Sequence, residues 1–265
     1  MPRVVTLTTD FGLGSGYVAE MKGRLLRADA ACSLVDIAHD LPPHDIRAAA
    51  WLVGQACFSF PADSIHIVVV DPGVGTSRRL IWAACGTPQS GRQQFLCPDN
   101  GLLTWALRRH PLAAARVLAV PPEASATFHG RDVLAPAAGR LLSGASPETL
   151  GPPITTLAML SLPEPQEAPT GIHGEVIHVD TFGNLVTNLS AELLPRVVTA
   201  GGLRIGSQVV RRIVSTYGDA PPGTLVVLVG SQGFIEAAVV EGRAADVLSA
   251  RVATPVAIEP PVRSG

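Results

Sequence analysis

Polar side chains that could support chemistry stand at the ends of several apolar stretches. They are five carboxylates, one imidazole and one amide: Asp10, Asp36, His39, Asp40, Asp71, Asp99 and Asn100. Asp71 is the most informative of them, because it ends the apolar stretch 65–70. A glycine-rich turn follows it, and then Arg78 and Arg79. A carboxylate beside an arginine can bind and orient a small polar molecule. The pattern is as typical of an aspartate that caps a turn, with two solvated arginines.

Two further stretches combine polar side chains with turn residues. His129 lies near the start of a predicted helix, where the helix dipole lowers the pKa of the imidazole and favours its neutral, basic form. A histidine at such a position is more often a structural cap or a surface residue. In the stretch 180–184, a hairpin would account for Gly183 and Asn184 but not for Asp180, which follows an apolar strand.

The elements that must position these residues alternate between strands and helices. Strands are predicted at 4–8, 33–38, 65–70, 80–85, 94–96 and 116–120, and helices at 17–27, 45–57, 102–109 and 127–142. This alternation predicts an α/β domain with a parallel or mixed sheet flanked by helices. Ligands of such sheets bind beyond the carboxyl ends of the strands, which is where Asp71 is expected.

A change of composition divides the chain. Six prolines between Pro147 and Pro169 predict a linker at about 147–169, between an N-terminal domain at 1–163 and a C-terminal domain at 170–265. The second half consists of short apolar stretches separated by glycine turns. It therefore predicts a smaller antiparallel β-barrel.

Composition limits the classes of function. The net charge of 20 − 22 = −2 gives no basic field for a nucleic acid partner. The four cysteines form no Cys-x-x-Cys pair, so buried reduced thiols are expected rather than a zinc site or disulfides. Without a signal peptide or an apolar stretch of 18 residues, no membrane contact is expected and the predicted localisation is cytoplasmic.

The residues alone leave two other kinds of site open, a metal site and a dinucleotide site. The aspartates and histidines at the strand ends could bind a metal, so a metal-dependent hydrolase is an alternative, although no His-x-His or His-Glu-x-x-His pair supports it. Gly12, Gly14 and Gly16 precede Asp36 as in a dinucleotide fingerprint. Their spacing is Gly-x-Gly-x-Gly instead of Gly-x-Gly-x-x-Gly, which disfavours a Rossmann cofactor site.

Five motifs in sequence order carry a resemblance to a known family. They are Thr-Thr-Asp10-Phe-Gly, Asp71-Pro-Gly-Val-Gly-Thr-Ser-Arg78, Pro98-Asp-Asn-Gly101, Phe128-His-Gly-Arg-Asp132 and Asp180-Thr-Phe-Gly-Asn184. Together they resemble the S-adenosyl-L-methionine (SAM) hydroxide adenosyltransferases, the SAM hydrolases related to fluorinase and chlorinase. The resemblance covers nearly the whole chain.

The resemblance implies an enzyme that cleaves SAM to adenosine and L-methionine by displacement at the ribose C5′, without a metal or cofactor. It also implies a homotrimer, with each site between the N-terminal domain of one subunit and the C-terminal barrel of the next. A non-catalytic protein that binds SAM or adenosine on the same fold is a further alternative.

The resemblance also assigns roles to residues. Asp71, Arg78 and His129 match the trio that holds the attacking water or hydroxide. The chemistry of these residues favours His129 over Asp71 as the proton acceptor, because a carboxylate paired with an arginine is a better hydrogen-bond acceptor than base. The substrate-binding positions are Asp10 for the ribose, Asn184 for adenine, Asp180 for the methionine ammonium, Ser231 for the carboxylate, and Tyr17 and His44.

Three positions depart from the family pattern. His44 replaces a tryptophan that faces the ribose in fluorinase, Gln232 replaces an arginine, and Val240 replaces a frequent asparagine. These departures concern the recognition of methionine and adenine rather than the reaction.

Overall fold

The computed structural model describes residues 3–260. The chain divides into two compact units, the first ending at Leu160 and the second starting at Ser161. The division falls inside the proline-rich segment 147–169. Within the described residues, no helix has both the length and the apolar character needed to cross a membrane.

The first unit is built on a six-stranded sheet. Its strands are β1 (Val4–Thr9), β2 (Ser33–Ala38), β3 (Ile65–Val69), β4 (Leu80–Cys85), β5 (Gln93–Pro98) and β6 (Leu112–Val117). The spatial order is β2-β1-β3-β5-β4-β6. Strands β2, β1, β3 and β5 are parallel, whereas β4 is antiparallel to both of its neighbours. The predicted α/β unit with a mixed sheet is confirmed.

Four helices flank this sheet: α1 (Tyr17–Ala28), α2 (Ile46–Ala56), α3 (Thr104–Arg109) and α4 (Ala135–Leu142). Asp45 caps α2, since its carboxylate accepts a hydrogen bond from the Ala48 backbone N–H at 2.9 Å. Ile67 of β3 packs into the core with α1 and α4, and the next residue, Val68, packs into the core with α2 and α3. The alternation buries β3 on both faces, as its apolar sequence predicts.

The carboxyl ends of the parallel strands meet at one edge of the sheet. Thr9 of β1 pairs with Val69 of β3, and Ile67 of β3 pairs with Leu96 of β5. The polar residues that follow these strands are therefore neighbours along this edge: Asp10 after β1, Asp71 after β3, and Asp99 and Asn100 after β5. The edge is the position expected for a ligand site.

The sixth strand corrects the predicted boundaries. It covers Leu112–Val117 rather than 116–120, because its register against β4 begins at Cys85 with Leu112 and ends at Ile81 with Val117. Its alanines have low strand propensity, and pairing with β4 overrides that preference.

Part of the proline-rich segment lies on the first unit. The Ile154 N–H donates to the Ala115 carbonyl at 3.0 Å, and the Leu160 N–H donates to Thr104 Oγ1 at 2.8 Å. Gly101, whose φ is +101°, faces Leu160, and a Cβ there would lie 2.7 Å from the leucine Cγ. The segment up to the division is thus packed and hydrogen-bonded.

The second unit is an antiparallel sheet that almost closes into a barrel. Its strands are β7 (Gln166–Ala168), β8 (Gly171–Val179), β9 (Leu185–Ser190), β10 (Leu203–Ile205), β11 (Gln208–Val210), β12 (Leu225–Val229), β13 (Phe234–Val239) and β14 (Pro255–Ile258). Their order is β11-β10-β14-β8-β9-β13-β12, with β7 also on β8. Just after β11, the Val214 N–H donates to the Val227 carbonyl of β12 at 3.0 Å, which brings the two outer strands together. The predicted smaller barrel is confirmed. Helices α5 (Leu194–Ala200) and α6 (Ala244–Val247) were not predicted.

Candidate active site

Asp71, Arg78 and His129 form one hydrogen-bonded group in the first unit. Arg78 Nε donates to Asp71 Oδ1 at 2.8 Å and to Oδ2 at 2.9 Å, and Arg78 Nη2 also donates to Oδ2. The same Nη2 contacts His129 Nδ1 at 2.8 Å. The side chains of Asp71 and Arg78 are only 5% and 11% exposed. Arg78 is therefore paired with Asp71 and largely buried rather than solvated.

The loop between Asp71 and Arg78 folds back on itself to make this contact. Thr76 Oγ1 donates to the Gly73 carbonyl at 2.7 Å and accepts a hydrogen bond from the Arg78 N–H at 3.4 Å. Gly75 has a φ of +79°, and a Cβ there would lie 2.7 Å from the Ala126 carbonyl oxygen. Glycine is thus required at Gly75 both for its backbone conformation and for the close approach of the loop.

His129 is positioned by a single π-helical turn, Gly130–Leu134, that precedes α4. The turn approaches the sheet closely, since a Cβ on Gly130 would lie 3.3 Å from Val69 Cγ2 of β3. This contact brings the histidine to the carboxyl end of the strand that carries Asp71. Such π-helical turns occur frequently at functional sites.

The contact with Arg78 fixes the protonation state of His129. A guanidinium can only donate, so Nδ1 must accept and the neutral ring carries its proton on Nε2. Burial of the ring, which is 6% exposed, and the adjacent Arg78 charge lower the pKa of His129 below its usual value. The imidazole is therefore neutral at physiological pH.

Asp10, Tyr17 and His44 lie near the end of β1. The Asp10 carboxylate accepts a hydrogen bond from the backbone N–H of His44 at 2.8 Å, and His44 has a φ of +67°. Tyr17 packs edge-on against Phe11 and Phe128, with ring centroids 5.6 and 5.1 Å away, and remains half exposed. Phe128 adjoins His129 in the chain, so this aromatic group borders the Asp71 site.

Among the buried polar atoms that lack a hydrogen-bond partner in the described residues, two belong to Arg78 and to Asn100, which contacts the residue before Asp71. They are Arg78 Nη1, a donor, and Asn100 Oδ1, an acceptor. Asn100 is fixed by its amide nitrogen, which donates to the Val70 carbonyl at 3.0 Å. Buried groups without partners are costly, and a bound molecule or water that pairs with them removes that cost.

In the second unit, Asp180 and Asn184 close the loop between β8 and β9. Asp180 Oδ1 accepts the Asn184 N–H at 2.8 Å, and Oδ2 accepts the Asn184 side-chain amide at 2.9 Å. The structure thus gives Asp180 a role in folding that the sequence did not suggest. Ser231 lies in the exposed turn between β12 and β13, and within the described residues it shares no hydrogen bond with either.

The metal alternative has no supporting geometry in the residues that the structure describes. Between residues 3 and 260, no three histidine, cysteine, aspartate or glutamate side chains come together as a ligand group. His39 instead contacts Thr9 Oγ1 through Nδ1 at 2.9 Å and Asp36 through Nε2 at 3.1 Å. All four cysteines are buried free thiols.

Comparison with known families decides the relationship. Residues 5–151 match the SAM hydroxide adenosyltransferase N-terminal domain, and residues 174–257 match the C-terminal domain of the same family. The chain belongs to the SAM hydroxide adenosyltransferase family. The resemblance seen in the five sequence motifs is confirmed.

Relatives of this SAM hydroxide adenosyltransferase cover almost its full length. An (R)-S-adenosyl-L-methionine hydrolase from Thermus thermophilus is 40% identical, over 96% of this chain and 98% of its own. A fluorinase from Actinoplanes sp. is 24% identical, over 88% of this chain and 89% of its own. An uncharacterized conserved protein from Thermotoga maritima has a solved structure with a TM-score of 0.85 and 33% identity, over 95% and 98% of the two chains.

Sequence reasoning missed two residues next to the predicted substrate-binding positions. The Tyr217 hydroxyl donates to the buried carboxylate of Glu236, and the Asn184 amide nitrogen lies 3.5 Å from that hydroxyl. Glu236 is the one charged residue in the otherwise apolar stretch 234–240. A lone charged residue on a buried strand is the signal that could have found it.

Proposed function

We propose that this SAM hydroxide adenosyltransferase hydrolyses SAM to adenosine and L-methionine. The contact of Asp71, Arg78 and His129 carries the proposal, because it puts a carboxylate, a fixed cation and a neutral imidazole at the edge of the sheet where ligands bind. Such a group can align a water molecule for attack, and alignment of the nucleophile is the main requirement of this reaction.

The chemistry needs little beyond that alignment. The water oxygen forms a bond to the ribose C5′ while the C5′–S bond breaks and its electron pair stays on sulfur. A sulfonium leaves as a neutral thioether, so no acid has to protonate the leaving group and no metal or cofactor is required. Asp71 orients the water, and Arg78 holds the carboxylate in one orientation through two parallel N–H donors.

The proton of the water goes to Asp71 in this proposal. Neutral His129 has Nδ1 engaged by Arg78 and a proton on Nε2, so neither nitrogen can accept a further proton while the group stays intact. Asp71 Oδ1 accepts only one hydrogen bond from Arg78, so this oxygen keeps a lone pair for the proton. The oxygen that has just bonded to C5′ is strongly acidic, so even a weakly basic carboxylate can take its proton and later release it to solvent.

The substrate is held, in this proposal, by residues of both units. Asp10 binds the ribose hydroxyls between Tyr17 and His44, while Asn184, Asp180 and Ser231 bind the adenine, the ammonium and the carboxylate of SAM. We propose a homotrimer in which the N-terminal unit of one subunit and the barrel of the next supply these residues. Light scattering should give three times the 27.5 kDa of one chain. A fully active monomer would contradict the shared site.

We also propose that the reaction takes place in the cytoplasm, since buried free thiols suit a reducing compartment. Cell fractionation with detection of the native chain tests this. Recovery in an oxidising compartment would contradict it.

Chromatography of SAM incubated with the protein in ¹⁸O-labelled water tests the reaction. We expect adenosine and methionine in equal amounts, with the label in the 5′-hydroxyl of adenosine and no effect of a metal chelator. Unchanged SAM after long incubation would identify a protein that only binds it, and loss of activity with chelator would favour a metal-dependent hydrolase. Asp63→Asn, which alters an exposed ion pair with Arg92, is a control that should keep full activity.

A further inference from the structure

A buried polar network lies in the second unit, next to the loop 180–184. The Tyr217 hydroxyl donates to Glu236 Oε1, and Asn184 Nδ2 contacts both Tyr217 Oη, at 3.5 Å, and Asp180 Oδ2, at 2.9 Å. Glu236 and Asn184 are 6% and 7% exposed. The network therefore runs unbroken from a carboxylate on β13 to the loop between β8 and β9.

The chemistry of the partners fixes the direction of each hydrogen bond. Ionised carboxylates only accept, so the Tyr217 hydroxyl donates a hydrogen bond to Glu236, and the Asn184 amide nitrogen must face Asp180. Burial raises the pKa of the Tyr217 phenol, which keeps it protonated at neutral pH. Both amide protons of Asn184 are then used, one on Asp180 and one on Tyr217 Oη. What remains is the carbonyl oxygen, which accepts no hydrogen bond from the described residues.

The barrel accommodates the Glu236 carboxylate next to a glycine, although its burial is energetically unfavourable. Gly230 faces Glu236, and a Cβ on that glycine would lie 2.2 Å from Glu236 Oε2. Burying a carboxylate is unfavourable, and burial raises the pKa of Glu236, with Asp180 adding repulsion and the Tyr217 hydroxyl opposing it. An apolar residue at this position would satisfy the fold of β13 better than a glutamate does. The network therefore has a role other than stability, which is to orient the side chain of Asn184.

We propose that Glu236 and Tyr217 are positioning residues that hold the Asn184 carbonyl toward the nucleobase, so that the site accepts a 6-aminopurine and rejects a 6-oxopurine. The proposal rests on the proposed function, in which Asn184 meets the adenine of SAM. A 6-amino group donates a proton to that carbonyl, whereas a 6-oxo group would bring two acceptors together. A site built to bind an N–H group discriminates strongly against an analogue that lacks it.

The test compares adenosine with inosine by calorimetry, and SAM with S-inosyl-L-methionine in turnover. For the parent protein we expect a preference for the amino compounds of about 10²-fold or more. Tyr217→Phe removes the hydroxyl that accepts the second amide proton of Asn184. It should raise KM for SAM about tenfold, leave kcat within about twofold, and reduce the adenosine preference about tenfold. Glu236→Gln should act in the same direction, because a glutamine amide donates to Tyr217 Oη and turns the phenol proton toward Asn184.

A matched control separates orientation from stability. Thr187 is fully buried in the same barrel and donates to the Ile235 carbonyl at 2.7 Å, and within the described residues it shares no hydrogen bond with the side chains of the network. Thr187→Val should lower the melting temperature and leave the adenosine preference unchanged. If Tyr217→Phe and Glu236→Gln lower the melting temperature but keep the parent preference, the network is only structural and the proposal is wrong. Binding of the free nucleosides is measured without turnover, so failure of the proposed reaction would be seen separately.

Discussion

The substitution His129→Asn separates two roles of the imidazole. In the folded chain Arg78 Nη2 donates to Nδ1 at 2.8 Å. Asparagine carries its carbonyl oxygen two bonds from Cβ, as histidine carries Nδ1, so it can accept the same hydrogen bond. It has no ring nitrogen that could serve as a base. His129→Leu removes both the acceptor and the base at nearly the same volume.

The expected magnitudes differ between the two roles. If His129 mainly pairs with Arg78, His129→Leu leaves a donor of a buried guanidinium unpaired, at about 1–3 kcal/mol or roughly 5- to 150-fold in turnover. His129→Asn keeps that pair and should lose less than about tenfold. If the ring were the general base, both variants would lose about 10²–10⁴-fold.

The assay is initial-rate chromatography of adenosine at saturating SAM near pH 8, with the melting temperature of each variant measured in the same buffer. We expect the order parent, then His129→Asn, then His129→Leu, with all three folded. A His129→Asn protein that melts like the parent and is about 10³-fold slower would refute our reasoning, because only loss of a base gives that result.

Three further predictions follow from the described contacts. Asp71→Asn should lower turnover about 10²-fold or more, because the nucleophile is no longer held. It should also lower the melting temperature, since Arg78 loses a buried partner, whereas Asp63→Asn should change neither. High halide should not yield a 5′-halogenated adenosine as the main product, because the Asp71 carboxylate repels an anion at short range. Such a product in chromatography would contradict water as the nucleophile. Burial lowers the pKa of His66 to about 4, so the unfolded chain takes up a proton below pH 6.5 that the folded chain does not. The contribution of neutral His66 to the free energy of unfolding should be complete above pH 6.5 and should fall by about 3 kcal/mol toward pH 4. In denaturant titrations, the free energy of unfolding of His66→Gln should depend less on pH than that of the parent.

The sequence was sufficient to predict the edge of the sheet but not the full geometry there. Alternation of strands and helices implies that Asp10 and Asp71 follow neighbouring parallel strands, and β1 and β3 do pair. The Asp71–Arg78 contact is local, since a short turn separates them. The Arg78–His129 contact spans 51 residues and depends on a π-helical turn. No periodicity predicts such a turn, so only the family resemblance grouped His129 with the other two.

Other features escaped prediction because tertiary contacts decide them. The alanines of Leu112–Val117 have helical propensity, but their pairing with β4 makes them a strand. In the second unit, Tyr217 lies on a short 3-10 turn. Its partner Glu236 is far along the chain, and their hydrogen bond follows from the closure of the sheet. Long-range contacts of this kind set the orientation of side chains more than the identity of the elements.

Asp180 illustrates how the folding role of a residue is compatible with the substrate role proposed for it. Each of its carboxylate oxygens accepts one hydrogen bond from Asn184, and each can accept another. An ammonium group could therefore bind Asp180 without opening the loop. Because the loop already holds the carboxylate, little conformational entropy would be lost when a ligand arrives. The contacts that close the turn are thus the same ones that would prepare the residue to bind a cation.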